Sequence, residues 1–211
     1  IKGQQPLLID LVALDDESSS ASLTSAIDKL VNDHNVQILL GPYGSGLTLQ
    51  AAKIAERENI VLWNHSGSGD RIVESKFRWT VGIISPASTY LTSVLDALEA
   101  RNIPLDRVYL VRANTGFAED MTTGVQRWSH QRNIPCDEFH YDPDTPDFSA
   151  ALEEIKDKNP SVLLSVGRVE DDLRFARQLI DGSTTIPAVA FVAAGIDEFR
   201  QTLGQHSLGF L

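Results

Sequence analysis

Short apolar runs alternate along the chain with stretches whose apolar side chains recur every three or four residues. Residues 7–14 (LLIDLVAL), 36–40 (VQILL) and 60–63 (IVLW) are too short for helices and rich in branched side chains, so each reads as a strand. Leu23, Ile27, Leu30 and Val31, and then Leu47, Ala51, Ile54 and Ala55, mark one face of a helix between successive strands. Residues 77–84 form a further extended segment after a turn at Asp70 and Arg71. Strands alternating with helices predict parallel pairing. Ser85 and Pro86 then break the pattern: Ser85 is placed to cap, and Pro86 to open, a helix carrying Leu91, Val94, Leu95 and Leu98. A domain boundary is expected there, with residues 1–84 as one lobe and 85–211 as a second. In the second lobe, strands are expected over 108–111, 137–141, 162–166 and 188–192, and helices over 117–128, 148–158, 171–180 and 196–203. The fold class is therefore α/β, with two doubly wound parallel-sheet lobes.

Chemistry gathers where strands end. Residues 36–58 pass from an apolar run through Gly41, Pro42, Gly44 and Gly46 into a helix, with Ser45 in the turn. A helix start offers unpaired N–H groups and the positive end of a dipole, which suit a carboxylate or phosphate, and Ser45 can add a hydroxyl. A P-loop would need Lys and then Ser or Thr after the second glycine, and a dinucleotide fingerprint a third glycine. Leu47 and Thr48 follow Gly46 instead, and G-S-G-L-T-L ends on Leu49, so both nucleotide readings fail. The next strand also ends in a small polar segment, Asn64-His65-Ser66-Gly67-Ser68-Gly69, so Ser45, Ser66 and Ser68 are expected to converge. In the second lobe the strand ends carry Asn114, Arg168 and Gly195. Two lobes with such loops fit a cleft closed by a hinge around a small molecule.

Composition removes other classes. Against 18 Lys and Arg stand 29 Asp and Glu, a net charge of −11, and no basic cluster occurs, so nucleic acid is excluded as a partner. No apolar run nears the roughly 20 residues of a membrane span, and no charged region followed by an apolar core opens the chain, so a signal peptide would have to precede Ile1. One cysteine, Cys136, forms no internal disulfide and suits a cytosolic or bacterial periplasmic protein; it reads as a small buried hydrophobe. The five scattered histidines supply no metal-ligand spacing. His65, Ser66 and Asp70 lie too close in sequence to form a catalytic triad, and no cofactor fingerprint appears. No enzyme activity, metal or cofactor is expected.

The phrases Leu14-Asp15-Asp16-Glu17, Leu40-Gly41-Pro42-Tyr43-Gly44-Ser45-Gly46, Phe77-Arg78-Trp79-Thr80, Asp147-Phe148-Ser149-Ala150-Ala151-Leu152 and Ala176-Arg177-Gln178 occur in an order that resembles the type I periplasmic binding proteins of branched-chain amino acid ABC importers. The resemblance implies a solute-binding protein outside the cytoplasm, partnered with an ABC permease in the membrane. It implies that Ser45 binds a ligand α-carboxylate and that Ser66 and Ser68 lie in the loop for the carboxylate and amine. It also implies a strand and helix before Leu7 and return segments after Leu211, so the first lobe is expected to be incomplete, with a groove that further chain or self-association fills.

Three positions depart from that family's pattern. Phe117 stands where a tyrosine is frequent, Arg168 where a pocket aromatic is common, and Ala193 with Ala194 where an acidic partner for the amine would sit. Arg168 presents a fork of donors suited to a second carboxylate or an oxygen-rich group, with Tyr43, Trp63 and Phe117 as apolar walls. These residues favour an organic acid over a simple branched-chain amino acid. A ligand-sensing domain of the same fold is the alternative function.

Overall fold

The computed structural model describes residues 8–211, and the chain divides into two compact units that meet in sequence at Ile84 and Ser85.

In unit 1, α1 (Ser20–Asn32) is capped by Ser19, whose hydroxyl accepts the Ser22 amide. There follow β1 (Ile38–Leu40), α2 (Ser45–Glu58), β2 (Val61–Asn64), the short helix α3 (Asp70–Glu74) and β3 (Thr80–Gly82). The strands pair in parallel in the order β1-β2-β3, and Leu40, Trp63 and Val81 fall in one row of the register. Leu39 and Leu62 face Leu23, Ile27, Ala51, Ile54 and Ala55 of α1 and α2. The alternate residues Ile38, Leu40, Trp63 and Val81 lie on the other face and are exposed. Glu56 on α2 accepts the amides of Arg78 and Trp79, which fixes the approach to β3.

Two expectations for this unit are corrected. Leu7 lies outside the described residues, and residues 8–14 run without ladder bonds, leaving Leu8, Ile9 and Leu11 exposed. An apolar run becomes a strand only when a neighbour takes its N–H and C=O groups, and no described strand lies beside this one. Asp70 and Arg71 open the helix α3 rather than a plain turn; five residues are too few for a periodic signal.

Unit 2 begins with Pro86 preceding a 3-10 turn, Ala87–Thr89, that runs into α4 (Tyr90–Ala100). Ser85 is therefore not the cap, because the missing proline N–H and fixed φ favour a tight turn one residue later, where Thr89 bonds the Pro86 carbonyl. Then come β4 (Val108–Ala113), α5 (Gly116–Gln131), β5 (Cys136–Tyr141), α6 (Ser149–Lys158), β6 (Val162–Val166), α7 (Val169–Asp181), β7 (Ala188–Phe191) and α8 (Asp197–Leu203). The strand expected to reach Val192 stops at Phe191, and Val192–Gly195 is a 3-10 turn.

All four strands are parallel, in the order β5-β4-β6-β7. Both faces are covered. Leu110, Leu164, Met121, Val125 and Leu95 fill one side under α4 and α5, and Tyr109, Leu163, Phe148, Phe175, Phe191 and Phe199 fill the other under α6, α7 and α8. A strand inside a parallel sheet covered twice is largely apolar, and β6 is buried at every residue. Gly124 lets α5 lie directly on the Ser88 carbonyl, a place where any Cβ would collide with backbone. On the β7 edge, the Leu211 amide bonds Val189 O at 2.9 Å and the Phe191 amide bonds Leu211 O at 3.2 Å.

Candidate functional site

In unit 1 the polar residues converge at the start of α2. Gly44 takes φ 90°, a left-handed conformation that its missing Cβ permits, and the chain turns directly into the helix. No side chain caps α2. The Gly44 carbonyl receives the Thr48 amide, so the amides of Ser45, Gly46 and Leu47 have no acceptor inside the helix.

The segment after β2 folds over this helix start. The Asn64 side chain closes it on itself, accepting the Ser66 and Gly67 amides (3.3 and 2.8 Å) and donating to the Gly67 carbonyl (2.8 Å). Gly67 rests on the Thr48 side chain so closely that a Cβ there would overlap it. The Ser66 hydroxyl donates to the Pro42 carbonyl (2.8 Å), to which Thr48 also donates (3.2 Å), and the Ser45 hydroxyl accepts the Gly69 amide (2.9 Å). Ser68 is buried within the same fold of chain.

These bonds divide the two hydroxyls by polarity. Ser45 spends a lone pair on Gly69 and keeps its proton to give; Ser66 spends its proton on Pro42 and keeps lone pairs to accept. A donor hydroxyl thus stands among the free amides of α2, and an acceptor hydroxyl stands on the adjoining loop. Tyr43 is exposed in the turn just before α2, whereas Trp63 sits in the row with Leu40 and Val81 on the open face of the sheet.

In unit 2, Asn114 and Phe117 follow β4, Arg168 follows β6 and Gly195 follows β7, so parallel pairing brings all four to one edge of the sheet. Asn114 donates to Asp142 (2.7 Å), and the half-buried Phe117 meets Tyr90 edge-on, ring centres 6.2 Å apart. The Arg168 guanidinium is held by Asp144 (2.8 Å) and Asp171 (3.3 Å), so its fork already grips two carboxylates. Gly195 is exposed, with open space where a Cβ would stand.

The residues that sequence reasoning missed lie beneath this edge. Asp171 and Asp172, in the first turn of α7, are both fully buried. Asp171 is met by Arg168 and Arg174 and accepts the Asp144 amide. Asp172 accepts from the Ser165 hydroxyl (2.7 Å) and the Ala193 amide (3.1 Å), and burial pushes its carboxyl up to about 6. The spacing of Arg168, Asp171 and Arg174, three residues apart across a helix start, was the available signal for the first of these carboxylates. Nothing in the sequence marked the second, nor the part Thr48 plays in seating the loop. Burial likewise pushes the Cys136 thiol up to about 11. Among the described residues no group of His, Cys, Asp and Glu is placed to hold a metal ion, and no helix is long and apolar enough to cross a membrane.

Residues 2–208 match the model of the periplasmic binding protein family, and the chain belongs to that family, one of solute-binding proteins rather than enzymes. Three solved structures show the same fold. The leucine-binding protein LivK of Thermotoga maritima superposes with a TM-score of 0.77 at 16% identity, over 93% of this chain and 56% of its own. LivJ of Streptococcus pneumoniae, a branched-chain amino acid transporter substrate-binding protein solved with isoleucine, gives 0.69 at 19%, over 86 and 51%. A solute-binding protein of an ABC transporter from Rhodopseudomonas palustris BisB5, solved with 3,4-dihydroxybenzoic acid, gives 0.71 at 15%, over 87 and 51%. The chain thus spans about half the length of the proteins it matches.

Proposed function

We propose that this chain is the solute-binding component of an ABC importer, working outside the cytoplasm, and that unit 1 binds the carboxylate of a small molecule for delivery to the membrane permease. One observation carries this reading: free amides at the start of α2 stand beside a Ser45 hydroxyl whose proton is unclaimed, a donor set for an anion. Ser66 offers lone pairs on the adjoining loop, suited to an ammonium or a hydroxyl of the same ligand. The molecules bound in the two complexes named above, isoleucine and 3,4-dihydroxybenzoic acid, share a carboxylate and differ elsewhere, which agrees with a fixed anion subsite and a variable remainder. Within unit 2, Asn114, Phe117 and Gly195 are proposed as ligand-contact candidates on their own strand ends. Arg168 is a further candidate: Asp171 and Asp144 engage its Nε and one Nη, which leaves the second Nη to donate to another acceptor.

Calorimetric titration with isoleucine and with 3,4-dihydroxybenzoate tests this. Loss of a hydrogen bond to a charged group costs ~1.5 to 3 kcal/mol, so Ser45→Ala is expected to weaken whichever probe binds by about one to two decades. Unchanged affinity removes the carboxylate assignment.

A further inference from the structure

The side chain of Tyr141, the last residue of β5, crosses the neighbouring strand ends. Ala113 is its register partner on β4, and Gly167 comes next, one residue past the pairing of Arg112 with Val166. Two small residues in succession leave a trough for the ring, which packs edge-on against Phe148 with ring centres 4.9 Å apart. A Cβ on Gly167 would collide with the Tyr141 hydroxyl and stand 3.3 Å from the Asp171 Cβ, so the hydroxyl arrives at the first turn of α7. Tyr141 is only 4% exposed, yet its hydroxyl has no hydrogen-bond partner among the described residues. A buried hydroxyl is costly to leave unbonded, which asks for a partner from outside the chain. Burial also pushes this hydroxyl up, so it keeps its proton to give.

Donors of a second kind stand beside it. No side chain caps α7, the Arg168 carbonyl receives the Asp172 amide, and the amides of Val169, Glu170 and Asp171 have no acceptor inside the helix. Arg168 adds its second Nη, since Asp171 engages Nε and Asp144 the other Nη. Charge decides what these donors can hold. Asp171 and Asp144 answer Arg168 and Arg174, while Glu170 and Asp172 stand in the same turn with no cation of their own. An anion would meet this surplus of carboxylate, and an ammonium would meet a set of donors. An uncharged oxygen meets neither obstacle.

We propose that the start of α7 is a subsite for an uncharged hydroxyl of a small-molecule ligand, bound by the Tyr141 hydroxyl together with the free amides of the helix. Val169 is half-buried and Arg168 and Glu170 are exposed, so the turn opens to solvent. The subsite rests on the solute-binding reading for its ligand, and it lies wholly within unit 2, so probes that bypass Ser45 can test it. They are catechol, which has hydroxyls and no carboxylate, and formate, which has a carboxylate and no hydroxyl. Each is titrated into the 211-residue chain and followed by amide NMR. Catechol is expected to shift the Val169 and Glu170 amides to saturation, and formate to leave them in place. Tyr141→Phe should weaken catechol about three- to tenfold at those amides and keep the parent's melting temperature, because the lost hydroxyl bonds nothing in the chain. In Ser45→Ala the catechol shifts should persist. No saturable shift with catechol, a shift of the same amides with formate, or parental catechol affinity in Tyr141→Phe each overturns the subsite. So does a lowered melting temperature in that variant, which would show the hydroxyl bonded within the protein. Formate acts at Ser45, Gly46 and Leu47 if the carboxylate reading holds, so a failure of that reading appears at other amides.

Discussion

β6 of unit 2 and β1 of unit 1 are both apolar runs in the middle or at the side of a parallel sheet, but their neighbours bury on different terms. Leu163 and Leu164 go to opposite faces of β6 and each meets a layer of helices, whereas Leu39 is buried and its neighbours Ile38 and Leu40 stand 55 and 65% exposed. The difference lies in the layers, not in the strands. Among the described residues, α1 and α2 cover one face of the unit 1 sheet, and the row Leu40, Trp63, Val81 on the other face has no cover. Fully burying such a side chain gives roughly 1.5 to 3 kcal/mol, which this face leaves unrealised.

The contrast can be broken most decisively in the core of unit 2. Leu164→Ala should cost about 2 to 5 kcal/mol in urea unfolding, because the sheet on one side and α5 on the other cannot both close on the gap. A cost near that of a surface change would mean that the double layer is not well packed. Next comes Asp172→Asn. The folded-state value of Asp172 lies above its unfolded one, so its favourable contribution is full below pH 4 and is lost as pH rises through about 6. The variant should therefore match the parent in acid and exceed it by about 1 to 3 kcal/mol at pH 7.5, as read from paired denaturation curves. An advantage confined to low pH would reverse the sign and refute the account.

In unit 1 the sharper test is the loop rather than the sheet. Gly67→Ala presses a methyl into Thr48 and should cost about 1 to 3 kcal/mol while displacing the Ser66 and Gly69 bonds, seen as lost protection of the Gly69 amide. The smallest effect belongs to the open face. Leu40→Ala should change stability by no more than about 0.5 kcal/mol, and a large loss would show that something covers this residue in solution. Self-association of the 211-residue chain through the same face would appear as concentration-dependent sedimentation, reduced by Leu40→Lys.

How far the sequence could be read follows the same division. β6 runs over the very residues its apolar run predicts, and the helices of unit 2 start and stop within a few residues of their periodic patterns, because two-sided burial writes itself into every position. Residues 8–14 show the limit of that method: strand propensity belongs to a segment, but strand structure belongs to a pair. That the turn carrying Ser45 meets the segment carrying Ser66 could be foreseen from strand ends alone. Their polarity could not, since it depends on the carbonyl of Pro42 and the amide of Gly69, backbone groups that side-chain identity does not reveal. Trp63 is expected at the site because it ends an apolar run, and alternation sets its side chain on the sheet face opposite α1 and α2. Asp172 escaped notice because a carboxylate at a helix start ordinarily belongs to solvent.

The bonds that Leu211 makes to β7 have a consequence for the company this protein keeps. Val189 O and Phe191 N point outward from the last strand of the unit 2 sheet, two of the groups through which a stray strand would begin to add, and Leu211 takes both. With Phe210 wedged against Phe191 and Phe199, that border is sealed by side chains as well as by hydrogen bonds. A strand arriving there would have to displace bonds already made, so growth from chain to chain is opposed at that border.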